Sequence, residues 1–185
     1  MHHRFHTFIA TLILGAVLCG SAVAAEKLTL DKEKSKITFV GSKPEGKHDG
    51  GFKTFEVSAM ADFDQAENSS LEIMIDTASL WSDDEKLTNH LKNPDFFDVR
   101  KYPKIQFKST KIEAGGGDST VKFIGKMKML DKEVEVTIPA SFELSDTSLK
   151  LVADFKIDRT KWGMSYGEGK IDNMVAIKAT FVLNR

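Results

Sequence analysis

Cysteine is almost missing from this chain: of 185 residues, Cys19 alone is one. That excludes an internal disulfide framework and any cysteine-rich zinc module. Excess charge is missing too, with 26 Lys+Arg against 27 Asp+Glu. Without a basic surplus there is no electrostatic footprint for nucleic acid. Tryptophan and tyrosine number 2 each, and proline 4. Low-complexity tracts, internal repeats, P-loops and dinucleotide fingerprints are absent. The hydrophobic share of 41 % is too high for a disordered chain. Phenylalanine is the exception to this scarcity, with 13 residues. It supplies aromatic bulk without a polar group that needs a partner.

The apolar run Thr7–Leu18 is too short for a membrane span of about 20 residues. It follows a basic start (Arg4 and three His) and precedes the small residues Gly20-Ser21-Ala22-Val23-Ala24-Ala25. That order is a secretory signal peptide, with cleavage expected after Ala25. The expected organisation is a signal over 1–25 and one domain over 26–185, destined for the periplasm or for secretion. Leu18 stands where a lipoprotein signal has a small residue, which argues against acylation of Cys19. Cleavage leaves a cysteine-free domain that cannot mispair in an oxidising space.

Alternation of apolar and polar residues dominates the rest, as in half-buried strands. Ile37 and Phe39 keep one parity; so do Phe55, Val57, Ala59, Ala61 and Phe63. Leu71, Ile73 and Ile75 form a third segment, and Ile105 with Phe107 a fourth. Val121, Phe123, Met127 and Met129 precede Val134, Val136 and Ile138. Leu149 to Ile157 and Val175 to Leu183 complete eight predicted strands. Tight polar turns, such as Gly115-Gly116-Gly117-Asp118, join several of them. An antiparallel meander of this kind favours a closed barrel, which removes exposed edges. Between strands three and four, Ser82-Asp83-Asp84-Glu85 reads as a capping box, with Leu87 and Leu91 at helical spacing behind it. One short helix is expected there, ended by Asn93-Pro94.

Catalytic motifs are weak. Gly163-Met164-Ser165-Tyr166-Gly167 matches G-x-S-x-G, but no strand-to-helix elbow surrounds it. A small secreted esterase using Ser165 is the enzymatic alternative. His48, placed in a glycine-rich loop, and His90, on the helix, lack the spacing of a metal site. The pairs Asp62/Asp64 and Asp83/Asp84 read as solvated or capping carboxylates. Seven rings (Phe39, Phe55, Phe63, Phe107, Phe123, Phe155, Phe181) share the apolar parity of their strands. An eight-stranded barrel is just wide enough to be filled or to hold one small ligand. Periodicity alone leaves both open: a slot, or the filled core of a stress-related interaction protein.

Phe96-Phe97-Asp98-Val99, followed by Tyr102-Pro103, Phe107 and Ser109, resembles the signature of the YceI-like family. Ser35-Lys36-Ile37-Thr38-Phe39 resembles its first strand, and His48 with Gly51-Phe52 its H…G-x-F segment. His90-Leu91 and Ile157-Asp158-Arg159 with Trp162-Gly163 fall in the expected order, although Trp162 stands where Phe is common. The resemblance spans residues 27–185. It implies an all-β, eight-stranded antiparallel lipocalin-like barrel that binds long amphiphilic lipids, typically polyisoprenoids or isoprenoid quinones, with no catalytic residues, metal or cofactor. With strand parity, it points to a lining of Phe39, Phe55, Val57, Phe63, Ile73, Phe107, Phe123, Met127, Phe155, Ile177 and Phe181. His48, Trp162 and Tyr166 are expected near the head group. The expected partner is an amphiphilic lipid; a homodimer is compatible with the sequence.

Overall fold

The computed structural model describes residues 25–185. The expected signal peptide and Cys19 lie outside the described residues, apart from Ala25 itself. Ten strands follow: β1 (Glu26–Lys43), β2 (Gly46–Phe52), β3 (Phe55–Ala61), β4 (Ser70–Asp76), β5 (Leu80–Ser82), β6 (Lys104–Ala114), β7 (Thr120–Met129), β8 (Lys132–Leu144), β9 (Ser148–Asp158) and β10 (Met174–Asn184). One α-helix, α1 (Glu85–Leu91), lies between β5 and β6. All pairings are antiparallel, and the sheet closes through β10 on β1. The closed barrel uses eight strands, in the order β1-β3-β4-β6-β7-β8-β9-β10. The all-β barrel with one helix after its third strand is the expected architecture.

The two additional strands build the upper rim. Residues Glu26–Leu28 of β1 pair with β3, whereas Ile37–Lys43 pair with β2. β2 and β3 therefore run the same way along β1, and β2 turns aside to pair with β5. This corrects the glycine-rich loop expected around His48, which is a strand. The glycines serve close packing there: a Cβ on Gly50 would collide with the Phe39 ring and the Trp81 carbonyl oxygen. Gly50→Ala is expected to lower stability by about 1–3 kcal/mol, the range for overpacking. A urea-unfolding midpoint equal to that of the parent protein would refute this.

The helix start also differs from expectation. Asp84, not Ser82, is the N-cap, accepting from the Leu87 amide at 2.7 Å. Ser82 ends β5 instead, and its hydroxyl bonds the Asp84 carbonyl and the Thr88 hydroxyl. A carboxylate at this position satisfies an orphan N–H and meets the positive end of the helix.

Candidate functional site

Inward-facing residues of the eight strands and α1 form one apolar core. That core is hollow. An upper chamber of about 270 Å³ lies beneath the rim, and a lower one of about 80 Å³ lies deeper in the barrel. Ile37, Ile75, Ile105, Met127, Phe155 and Ile177 border both chambers, so the two make one slot with a neck. The lower walls add Ile73, Phe107, Phe123 and Phe181, with Ala140, Ala153 and Ala179 leaving space between the rings. A large ring facing a small residue leaves volume when the opposite wall does not fill it. Here the walls do not meet, and the filled-core alternative gives way to a slot.

The upper chamber is roofed by the segment after β5. Leu87 and Leu91, one helical turn apart, face it from α1. The chain then folds back through a series of backbone bonds: Phe97 N–H to Leu91 O, Asp98 N–H to Asn93 O, and Tyr102 N–H to Asp98 O. The Thr77 hydroxyl donates to the Tyr102 carbonyl at 2.8 Å and fixes the end of this turn to the top of β4. The turn directs Phe96 and Phe97 into the chamber. Phe97 meets Phe52 edge-on at 5.7 Å, and Phe52 meets Phe39 at 5.9 Å, so three rings form a continuous wall.

The opposite side of the mouth is the segment from Arg159 to Asn173. Arg159 is only 4 % exposed and has no carboxylate partner among the described residues. Its guanidinium donates to the carbonyls of Met164 (2.6 Å), Tyr166 (3.0 Å), Asp172 (3.2 Å) and Ile171 (3.3 Å), and to Asn173 Oδ1 (3.4 Å). Burial lowers its pKa, and the ring of acceptors offsets the lost hydration. The planar five-donor fork suits this task as a lysine would not. Arg159 so shapes a loop that contributes Met164 and Ile171 to the chamber.

Of the expected lining, Phe39, Ile73, Phe107, Phe123, Met127, Phe155, Ile177 and Phe181 border the slot. Phe55, Val57 and Phe63 do not. Phe55 is buried edge-on against Phe181 at 5.8 Å, and Val57 packs against the core outside the chambers. Phe63 lies past the end of β3 and is 40 % exposed, with the Arg185 guanidinium 4.6 Å from its ring centre. The buried Asp62 carboxylate accepts from the Asp64 and Gln65 amides, turning the chain before parity can carry Phe63 inward. The lining residues Phe52, Leu87, Leu91, Phe96, Phe97, Met164 and Arg159 were not expected. The i, i+4 leucines and the Phe-Phe pair were visible in the sequence, but nothing local told which way they face.

At the mouth only His48 of the three head-group candidates borders the chamber. Its Nδ1 lies 2.9 Å from Asp83 Oδ1, and the Asp49 amide donates to Asp83 Oδ2 at 3.1 Å. The hydrogen bond from His48, then that from Asp49, holds the Asp83 carboxyl below its usual range. Trp162 is 1 % exposed and packs beneath the loop, its N–H donating to the Met127 carbonyl at 3.0 Å. Tyr166 does not border the chamber; it is 47 % exposed and meets His90 edge-on (4.8 Å) and Phe96 at a tilt (5.3 Å).

Ser165 is exposed in the same loop, after Gly163 in the left-handed conformation at φ 92°. No histidine hydrogen bond reaches its hydroxyl among the described residues, and the His90 imidazole is held by Asp95 at 3.0 Å. The nucleophile–base contact of a serine hydrolase is not formed. Among the described residues no cluster of three metal-ligating side chains occurs, and no helix is long and apolar enough to cross a membrane.

Comparison with known proteins places this geometry. The profile of the YceI-like domain matches residues 28–183. A UPF0312 protein of Pseudomonas putida is 35 % identical over 141 residues, covering 72 % of this chain and 71 % of that protein. BcnA of Burkholderia cenocepacia superposes with a TM-score of 0.77 at 26 % identity, over 83 % of this chain and 98 % of that one. A polyisoprenoid binding domain from Saccharophagus degradans, implicated in plant cell wall breakdown, gives 0.66 at 14 % identity over 86 % and 98 % of the two chains. At that identity the last likeness shows the fold alone. The profile match and the Pseudomonas relatives establish that the chain belongs to the YceI-like domain family.

Proposed function

We propose that the protein is an exported carrier or store for an isoprenoid-type amphiphile, held with its apolar tail in the slot. The observation that carries this reading is the slot itself, walled by rings, isoleucines and methionines and opening at one end. Phe and Met bring no donor that a hydrocarbon tail would leave unpaired. Each Å² of tail removed from water contributes about 25 cal/mol. An apolar cavity of about 150 Å³ takes one six-carbon ring, so the two chambers together take about three five-carbon units. A branched prenyl chain suits a slot with a neck, because it is slender and bends at every unit. The Saccharophagus domain, described as polyisoprenoid binding, supports the same ligand class, and the order of residues 1–25 supports export.

The test is native mass spectrometry of the purified protein, followed by extraction into organic solvent. A mass increment that passes into the solvent as a prenyl lipid is the expected result. A single unliganded mass, together with no uptake of added prenyl alcohols, would overturn the reading.

A further inference from the structure

We infer that the slot selects amphiphiles whose head group donates a hydrogen bond, and that His48, oriented by Asp83, makes the selection. This rests on the proposed binding of an apolar tail and adds the chemistry of the head. His48 is on β2 with the parity of Gly50 and Phe52, and it borders the upper chamber. Asp83 Oδ1 engages Nδ1 at 2.9 Å. A carboxylate only accepts, so Nδ1 carries a proton, and above the pH at which the imidazole is protonated on both nitrogens Nε2 is left as an acceptor. Asp83 is itself fixed, since Oδ2 takes the Asp49 amide and the Asp83 amide donates to the Asp49 carbonyl at 2.9 Å.

The other polar groups of the chamber wall do not reverse this preference. Arg159 has its donors committed to the mouth loop. The Lys43 ammonium and Ser42 hydroxyl can donate to an alcohol or an ether oxygen alike. Asp172 is exposed and acceptor-only, and acts in the same sense as His48. A prenyl alcohol, phenol or hydroquinone offers a proton to Nε2. An ether, ester or quinone offers only lone pairs to another lone pair, and leaves the imidazole nitrogen, on a side chain 38 % exposed, to water instead of the ligand.

The experiment compares farnesol with farnesyl methyl ether, which share a fifteen-carbon tail, by isothermal titration against the full-length protein. Farnesol is expected to bind about three- to tenfold tighter, the net worth of one hydrogen bond exchanged for one to water at a part-exposed acceptor. Asp83→Asn supplies the decisive variant. Its amide oxygen stays on the Asp49 N–H and its NH₂ faces Nδ1, so the imidazole proton moves to Nε2, which becomes a donor. The farnesol preference is expected to vanish or invert, with tail affinity kept. His48→Leu should equalise the two ligands, and His48→Gln, which retains an acceptor, should restore part of the difference. Binding of neither ligand would overturn the tail-binding reading itself. Equal binding of both by the parent protein, or an unchanged preference in Asp83→Asn, would overturn the head-group inference alone.

Discussion

Phe155→Asp is expected to abolish uptake of prenyl lipids, by at least about a hundredfold in affinity. Phe155 borders both chambers at the neck of the slot. A carboxylate there meets no donor among the apolar side chains that border the neck with it, such as Ile37, Met127 and its strand neighbour Ile177, so a tail passing it must strip its water without replacement. The same change removes a core ring, and a stability loss of at least about 2 kcal/mol accompanies it. Stability and binding are separated by a control already in the molecule. Phe63→Asp places the same charge on an exposed ring outside the slot, where uptake should be unchanged. Titration of a fluorescent prenyl probe, with circular dichroism to confirm folding, checks both. Full uptake by a folded Phe155→Asp protein would show that the tail does not pass the neck.

Arg159→Met is expected to destabilise the protein by about 3 kcal/mol or more. Four carbonyls and one side-chain amide oxygen lose their donor at once. A buried acceptor left unpaired costs about 1–3 kcal/mol, and water entering at the mouth recovers part of that. Arg159→Lys should recover little, because an ammonium cannot reach acceptors spread around a planar fork. Urea unfolding reads the midpoint shift at constant slope. Hydrogen exchange should show residues 163–173 losing protection before the barrel strands do. A midpoint equivalent to less than about 1 kcal/mol would mean that the loop is held by Trp162 and Met164 instead.

Much of the barrel is legible in the alternation of single strands. The sides on which Phe107, Phe123, Phe155 and Phe181 lie follow from parity alone, because a strand turns successive side chains to opposite faces. Parity fails where the backbone stops being a strand. Phe63 keeps the right count, yet the Asp62 turn removes it from the wall. β2 was hidden for the opposite reason. Gly50 and Gly51 read as part of a glycine-rich loop, and their use for close approach to Phe39, Ile37 and Trp81 depends on residues more than ten positions away. Helix α1 was predicted from Leu87 and Leu91, but its role as a roof depends on where β5 delivers it.

By itself, then, the amino-acid order determined the strand count of the closed barrel, the inward faces and the presence of one helix. These are local periodicities, and each is set by a few neighbours in sequence. Only the tertiary structure decided whether the interior is solid or hollow. Interior volume is the difference between the space eight strands enclose and the side chains they send into it. No strand's own pattern contains that difference. The pairing of His48 with Asp83 and the gathering of five acceptors around Arg159 were settled at the same level. His48 and Asp83 stand 35 residues apart and meet only because β2 pairs with β5, and the acceptors of Arg159, all within Met164–Asn173, gather only when that loop folds back around the guanidinium.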